Sequence, residues 1–245
     1  MSAAFRQERS KTGHKKEDCA LKNLMLHMIG AKLDKFCITH EMAKTIFTQG
    51  KDCRFMFDDG YRSIYDVLIS AGQRICNKTY IFCVTGKIGG LNDWDKGGEL
   101  AGKQLLNWEE IIELQALGVK FGSHSLTHAN LTKLDNKELE REVKESKRIL
   151  EEKIGREVEG FAYPFGYFNQ KVIDAVKAAG YKWAVTTSDL IWEGRGNLYR
   201  MRRINISGFD SKFLIWSKMT GLYDIKSFWK LPVLALEKME LLLKR

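Results

Sequence analysis

The chain has 245 residues, 44% hydrophobic and 29% charged, which is enough for one large domain with a substantial core. Its formal charge of +9, from 40 Lys and Arg against 31 Asp and Glu, favours an anionic partner and leaves nucleic acid, anionic lipid and acidic saccharide open. No run reaches the roughly 18 uncharged apolar residues of a membrane span, and the charged start Met1-Ser2-Ala3-Ala4-Phe5-Arg6 lacks the apolar stretch of a signal peptide.

Taken in chain order, residues 1–21 form a basic extension, and a short apolar run at 22–27 predicts a first strand ending in His27. A second strand at 53–58 runs into Asp58-Asp59-Gly60, and a third spans 79–85. Asn107 and Glu110 have capping-box spacing and Gly118 is a plausible stop, so a helix is expected over about 108–117. The next strand, 119–124, ends in His124, four residues before His128. Asp135 and Glu138 cap a long helix whose Leu139, Val143, Ser146, Leu150 and Ile154 trace an apolar stripe, while its charge run over 137–153 reads as a solvated outer face. A strand at 158–163 precedes Pro164-Phe165-Gly166. A helix capped by Asn169 then leads into a last strand at 181–187.

Strands alternating with helices predict an α/β fold with a parallel sheet, and about seven such units over some 190 residues suit a distorted or incomplete (β/α) barrel. His27, Asp58-Asp59, His124 and Pro164-Phe165-Gly166 all fall at the carboxyl ends of predicted strands, where barrel enzymes build their sites. Each signal has a plainer reading. Asp-Asp-Gly is a favourable turn, His27 suits a strand end, and Pro164-Phe165-Gly166 is a turn with an aromatic wall. His124 and His128 are spaced to share one side of a helical turn. Together, two imidazoles and a carboxylate supply three ligands for a divalent ion, with a second carboxylate spare to take a proton from water.

Five cysteines without a C-x-x-C pair argue against a disulfide framework and a zinc ribbon, so they are expected to be reduced thiols in a cytoplasmic protein. The barrel is expected over 22–210. Residues 211–245 mix Trp216, Phe228, Trp229 and many Leu with Lys, a composition that suits either an amphipathic helix at the inner membrane face or a helix packed on the barrel.

Three motifs in order, Phe57-Asp58-Asp59-Gly60-Tyr61, Gly122-Ser123-His124-Ser125-Leu126-Thr127-His128 and Phe161-Ala162-Tyr163-Pro164-Phe165-Gly166, resemble those of polysaccharide deacetylases with a NodB-homology domain, carbohydrate esterase family four. The resemblance implies that Asp59, His124 and His128 hold zinc, or cobalt or another divalent ion. It also implies that Asp58 is the base and that the Phe165 N–H stabilises the oxyanion. Many members carry a general-acid histidine near the C-terminus, but no histidine follows His128 here. Met25-Leu26-His27 is similar to the equivalent strand of a circularly permuted subgroup, which makes His27 the expected acid.

Two departures stand out. Ala162 occupies the place where many members have an arginine, leaving Arg202 or Arg203 to orient the catalytic aspartate, and the Asp-Trp motif has only Asp189 and Trp192 as candidates. The implied reaction is hydrolysis of an N-acetyl or other N-acyl group on an amino sugar, in a cell-surface glycan or in a lipid-linked or nucleotide-sugar precursor. A deformylase of a lipid-linked amino sugar and a non-catalytic carbohydrate-binding protein with a decayed site are the alternatives. Nucleic acid ranks last, because the basic residues are interspersed with acidic ones.

Overall fold

The computed structural model describes residues 21–31, 34–187 and 197–224; the N-terminal extension, Asp189, Trp192 and residues 225–245 lie outside them. Seven parallel strands form the main sheet: β1 (Lys22–Leu26), β4 (Cys53–Phe57), β5 (Thr79–Cys83), β6 (Lys120–Ser123), β7 (Gly160–Ala162), β8 (Trp183–Val185) and β9 (Ile204–Asn205). Their spatial order is β8-β7-β6-β5-β4-β1-β9, and a two-stranded parallel ribbon of β2 (Met28–Gly30) and β3 (Cys37–Thr39) lies beside the first strand. The α-helices are α1 (His40–Gln49), α2 (Tyr65–Ala71), α3 (Gln73–Cys76), α4 (Trp108–Ala116), α5 (Asn136–Ile154), α6 (Gln170–Ala178) and α7 (Lys212–Thr220), with short 3-10 turns between elements. The expected distorted β/α barrel is what forms. Each of the six strands read from the sequence is present within two residues of its expected bounds, whereas β2, β3 and β9, of two or three residues each, carry no periodicity to read.

Alternation along the strands separates two apolar layers. Phe55 and Phe57, Ile81 and Cys83, Phe161 and Ala184 belong to the core shared with the helices, whereas Met56, Phe82, Ala162 and Val185 form a second cluster on the other face. Gly122 makes this inner packing possible. A Cβ there would come within 2.5 Å of the Phe82 ring.

The sheet curls because one segment serves both of its edges. Ala184 and Thr186 donate to Leu198 and Met201 carbonyls, Met201 donates back to Ala184, and three residues later Ile204 pairs with Leu24 of β1. Register then lines up the carboxyl ends: Leu26 sits opposite Phe57, Phe57 opposite Ile81, Cys83 opposite Ser123 and Ser123 opposite Phe161. His27, Asp58, His124 and Tyr163 follow this line.

The described part of the C-terminal segment packs on the barrel. Helix α7 is capped by Ser211 and buries Phe213, Ile215 and Met219, while its buried Lys218 pairs with Asp210 at 2.6 Å. No described helix is long and apolar enough to cross a membrane. Cys37, Cys53, Cys76 and Cys83 are all free and buried.

Candidate active site

Asp58 continues the β4 ladder by donating its N–H to Leu26 O, and alternation turns its side chain toward the inner cluster. There it meets Arg203, which is fully buried. The guanidinium grips the carboxylate through both oxygens, Nη1 to Oδ1 at 2.6 Å and Nη2 to Oδ2 at 2.7 Å, and its Nε donates to Thr186 O at 3.2 Å. Its flat face lies 5.5 Å from the centroid of the Phe82 ring. Burial works against ionisation of Asp58, but the charge and hydrogen bonds of Arg203 outweigh it, so the carboxyl is held below the usual carboxylate range. Of the two adjacent arginines, Arg203 is the one that reaches the aspartate, entering from the closing segment rather than from the Ala162 position.

Asp59 breaks the alternation. Its φ of 68° and that of Gly60 at 78° turn the chain sharply and swing the second carboxylate into a cleft of about 480 Å³. His124 follows β6, and its Nδ1 donates to Ala162 O at 2.8 Å, which leaves the Nε2 lone pair facing Asp59 Oδ1 at 3.4 Å. His128 Nε2 approaches the same oxygen at 3.3 Å. Burial pushes the His124 imidazolium down to about 4, ahead of the opposing pull of Asp58, so the ring is neutral near pH 7.

The two histidines are not on a helical turn, as their spacing had suggested. Residues 124–128 form a loop in which Ser125 (φ 66°) and His128 (φ 63°) are left-handed, and it is this loop that turns the second imidazole back beside the first. The described non-glycine residues with positive φ are Asp59, Ser125, His128 and Phe165, and all lie at or beside this cleft. Such conformations cost on the order of 1–3 kcal/mol each and persist only where surrounding contacts impose them.

The cleft walls are aromatic. Trp94 stacks on His128 with centroids 4.9 Å apart and planes 26° apart, and Phe165 meets the same imidazole edge-on at 4.6 Å. Tyr61, fully buried, accepts a hydrogen bond from Asn92 at 2.7 Å, tying the loop that carries Trp94 to the Asp-Asp-Gly turn. The turn Pro164–Gly166 uses the N–H groups of Gly166 and Tyr167 for its own hydrogen bonds, and the Phe165 N–H is not among them. His27 lines the cleft from the end of β1, its ring edge-on to Phe36 at 4.9 Å and its buried Nδ1 without a hydrogen-bond partner.

The expected residues Asp58, Asp59, His124, His128, Phe165 and His27 thus share one cleft. Against that geometry, residues 47–184, more than half of the chain, match the family model described as polysaccharide deacetylase. The chain is a member of the polysaccharide deacetylase family. The matched span holds both aspartates, both histidines and Phe165, but leaves His27 and Arg203 outside.

A curated relative, the Bacillus subtilis protein YxkH, named for polysaccharide deacetylation, is 25% identical over 175 residues, 69% of this chain. The chain spans 58% of that relative's length. Among solved structures, the Streptococcus pyogenes deacetylase PplD in complex with acetate is similar at a TM-score of 0.66 and 20% identity, covering 81% of this chain and 97% of that one. A de-N-acetylase from Aggregatibacter actinomycetemcomitans is similar at 0.66 and 17% identity, covering 81% and 99%. At these identities the solved deacetylases share the fold.

Several site residues escaped the sequence reading. Tyr61 was visible only as part of the first motif, and Asn92 and Trp94 sit in a loop without periodicity. The charge run on α5 is not wholly a solvated face, because Glu142 is buried and bonds to the histidine loop. Its position three residues after Leu139 and four before Ser146, on the apolar stripe, was the available signal.

Proposed function

We propose that this chain is a metal-dependent hydrolase that removes an N-acetyl, or another N-acyl, group from an amino sugar in a saccharide. The observation that carries this reading is the contrast at Asp58-Asp59, where one buried carboxylate is gripped by arginine and its neighbour is left open. Asp59 Oδ1 is buried without a hydrogen-bond partner, and it faces two imidazole nitrogens. A carboxylate oxygen against the neutral His124 lone pair is an unfavourable meeting of two acceptors unless a cation lies between them.

The donor set fits a divalent ion. The three ligand atoms lie within 4.8 Å of one another, and two nitrogens with one oxygen suit zinc, with cobalt also acceptable. A bound ion supplies Lewis acidity, which polarises a carbonyl and makes water a stronger acid. The chain supplies the rest. Asp58, ionised and oriented by Arg203, takes the proton of the water whose oxygen adds to the acyl carbon. The Phe165 N–H donates to the carbonyl oxygen as negative charge develops there, and His27 gives a proton to the nitrogen as the C–N bond breaks. The products are a carboxylic acid and a free amine. Arg203 also answers one of the two grounds for a decayed site, since the Asp58 partner missing at Ala162 comes instead from the segment just before β9; the Asp-Trp candidates lie outside the described residues.

Release of acetate from N-acetylated glucosamine oligomers and nucleotide sugars, measured with Zn2+, with Co2+ and after chelation, tests this reading. Acetate release that needs the ion is the expected result. Formate in place of acetate from N-formylated sugars assigns the deformylase alternative, and bound metal without turnover of any N-acyl sugar overturns the enzyme reading.

A further inference from the structure

Helix α5 carries one buried carboxylate, and its bonds go to the segment that joins His124 to His128. Glu142 Oε2 accepts the N–H of Leu126 at 3.0 Å and of Thr127 at 2.9 Å, while Oε1 accepts the Thr127 hydroxyl at 2.7 Å. One turn further along the same face, Ser146 accepts from the Ser123 hydroxyl at 2.9 Å. Ser123 Oγ in turn accepts the Ser125 N–H at 3.2 Å, and Ser125 Oγ accepts the His128 N–H at 3.0 Å. Between these grips lie the left-handed Ser125 and His128. The loop therefore holds a costly backbone shape through bonds that converge on α5.

We propose that Glu142 is a positioning residue of the site, fixing the direction of the His128 imidazole relative to His124 so that the affinity and ligand geometry for a divalent cation depend on it. This rests on the metal-hydrolase reading. Glu142 accepts its three loop bonds without touching either imidazole ring, so it acts through the backbone they share. The residue type matters because all three donors point at it. A carboxylate accepts all three with its charge shared over both oxygens, whereas an amide of the same shape must reverse the Thr127 hydroxyl bond, donating where the carboxylate accepted, and loses the charge that strengthens the two N–H bonds. Freed of the clamp, Ser125 and His128 can relax toward ordinary φ values, and the second imidazole turns away from Asp59.

The test uses Co2+ alone as probe, with calorimetric titration for affinity and visible absorption for ligand geometry, in the wild-type chain and in Glu142→Gln, Thr127→Val and Leu150→Val. The last trims the same helix in the core, away from the loop. Expected are Co2+ binding about 10–100-fold weaker in Glu142→Gln, the range typical for groups that orient metal ligands, a smaller loss in Thr127→Val, and altered absorption bands in both. Leu150→Val should lose thermal stability and keep both the affinity and the spectrum. Glu142→Gln and Thr127→Val binding Co2+ within twofold of wild type with unchanged bands overturns the proposal while the metal reading stands, and so does an equal loss in Leu150→Val. A wild-type chain that takes up no Co2+ overturns both.

Discussion

Asp58 and Asp59 are neighbours in the chain, both buried, and their surroundings differ in kind. Asp58 has its charge balanced by Arg203 through two short bonds. Asp59 has an oxygen with no hydrogen-bond partner and two imidazoles beside it. The first arrangement completes itself within the protein; the second leaves an acceptor unmatched, and on the proposed reading a divalent ion completes it. A turn with φ of 68° at Asp59 and 78° at Gly60 separates the two, leaving one carboxylate against Arg203 and the other facing the two imidazoles of the shared cleft.

Four measurements sharpen or break that contrast. Asp58→Asn should lower kcat for N-acyl hydrolysis by about 10²–10⁴-fold, the usual worth of a positioned general base, while Co2+ affinity stays near wild type; turnover at the wild-type rate removes Asp58 from the chemistry. Arg203→Ala leaves Asp58 buried and unpaired, and should cost about 3–5 kcal/mol in urea unfolding. Arg203→Lys should recover only part of this because lysine lacks the planar fork. A loss below 1 kcal/mol would mean that the pair contributes little.

Acid should expose the other half of the contrast in metal-free protein. Folded His124 takes its proton only near pH 4, whereas the unfolded chain takes it near 6.5. Between these values the unfolded state binds more protons, so the stability present above pH 6.5 falls by about 3 kcal/mol as pH drops toward 4. Asp58 and Asp59, both depressed, withdraw their contributions below about pH 4. A melting temperature flat from pH 6.5 to 4 contradicts the His124 assignment. The smallest effect concerns Asp59→Asn, whose amide can donate to the imidazole nitrogen and whose side chain tolerates positive φ. Metal-free protein should lose about 1 kcal/mol, the amide's hydrogen bond replacing part of what the ionised carboxylate contributes, and elemental analysis should find far less bound zinc. Undiminished zinc would discard Asp59 as a ligand.

What could be read in advance follows from where the information lies. Strands such as 53–57 and 79–83 announce themselves because burial on both faces demands nearly continuous apolar runs, interrupted only by Arg54 and Thr79 at their starts, and the polar residues that end them mark the cleft. The capping box of α4 and the Asp135 cap of α5 were equally plain. Arg202 and Arg203 could not be told apart because adjacent residues of an extended chain point to opposite sides, and only the pairing of Met201 with β8 and of Ile204 with β1 decides which faces Asp58. The His124–His128 loop misled for a different reason. A spacing of four is common to a helical turn and to a loop with two left-handed residues, and bonds to a distant helix select between them.

The segment Leu198–Asn205 also sets an order of events. It holds the last strand among the described residues, and the bond it makes to Asp58 joins residues 145 positions apart. A chain folded only as far as β8 holds a bare carboxylate against an apolar interior, so the earlier strands cannot reach their full stability until this segment arrives. The Asp58–Arg203 pair therefore ties completion of the sheet to the arrival of this segment, and a molecule without it has neither the β1–β9 pairing nor a fixed Asp58 carboxylate.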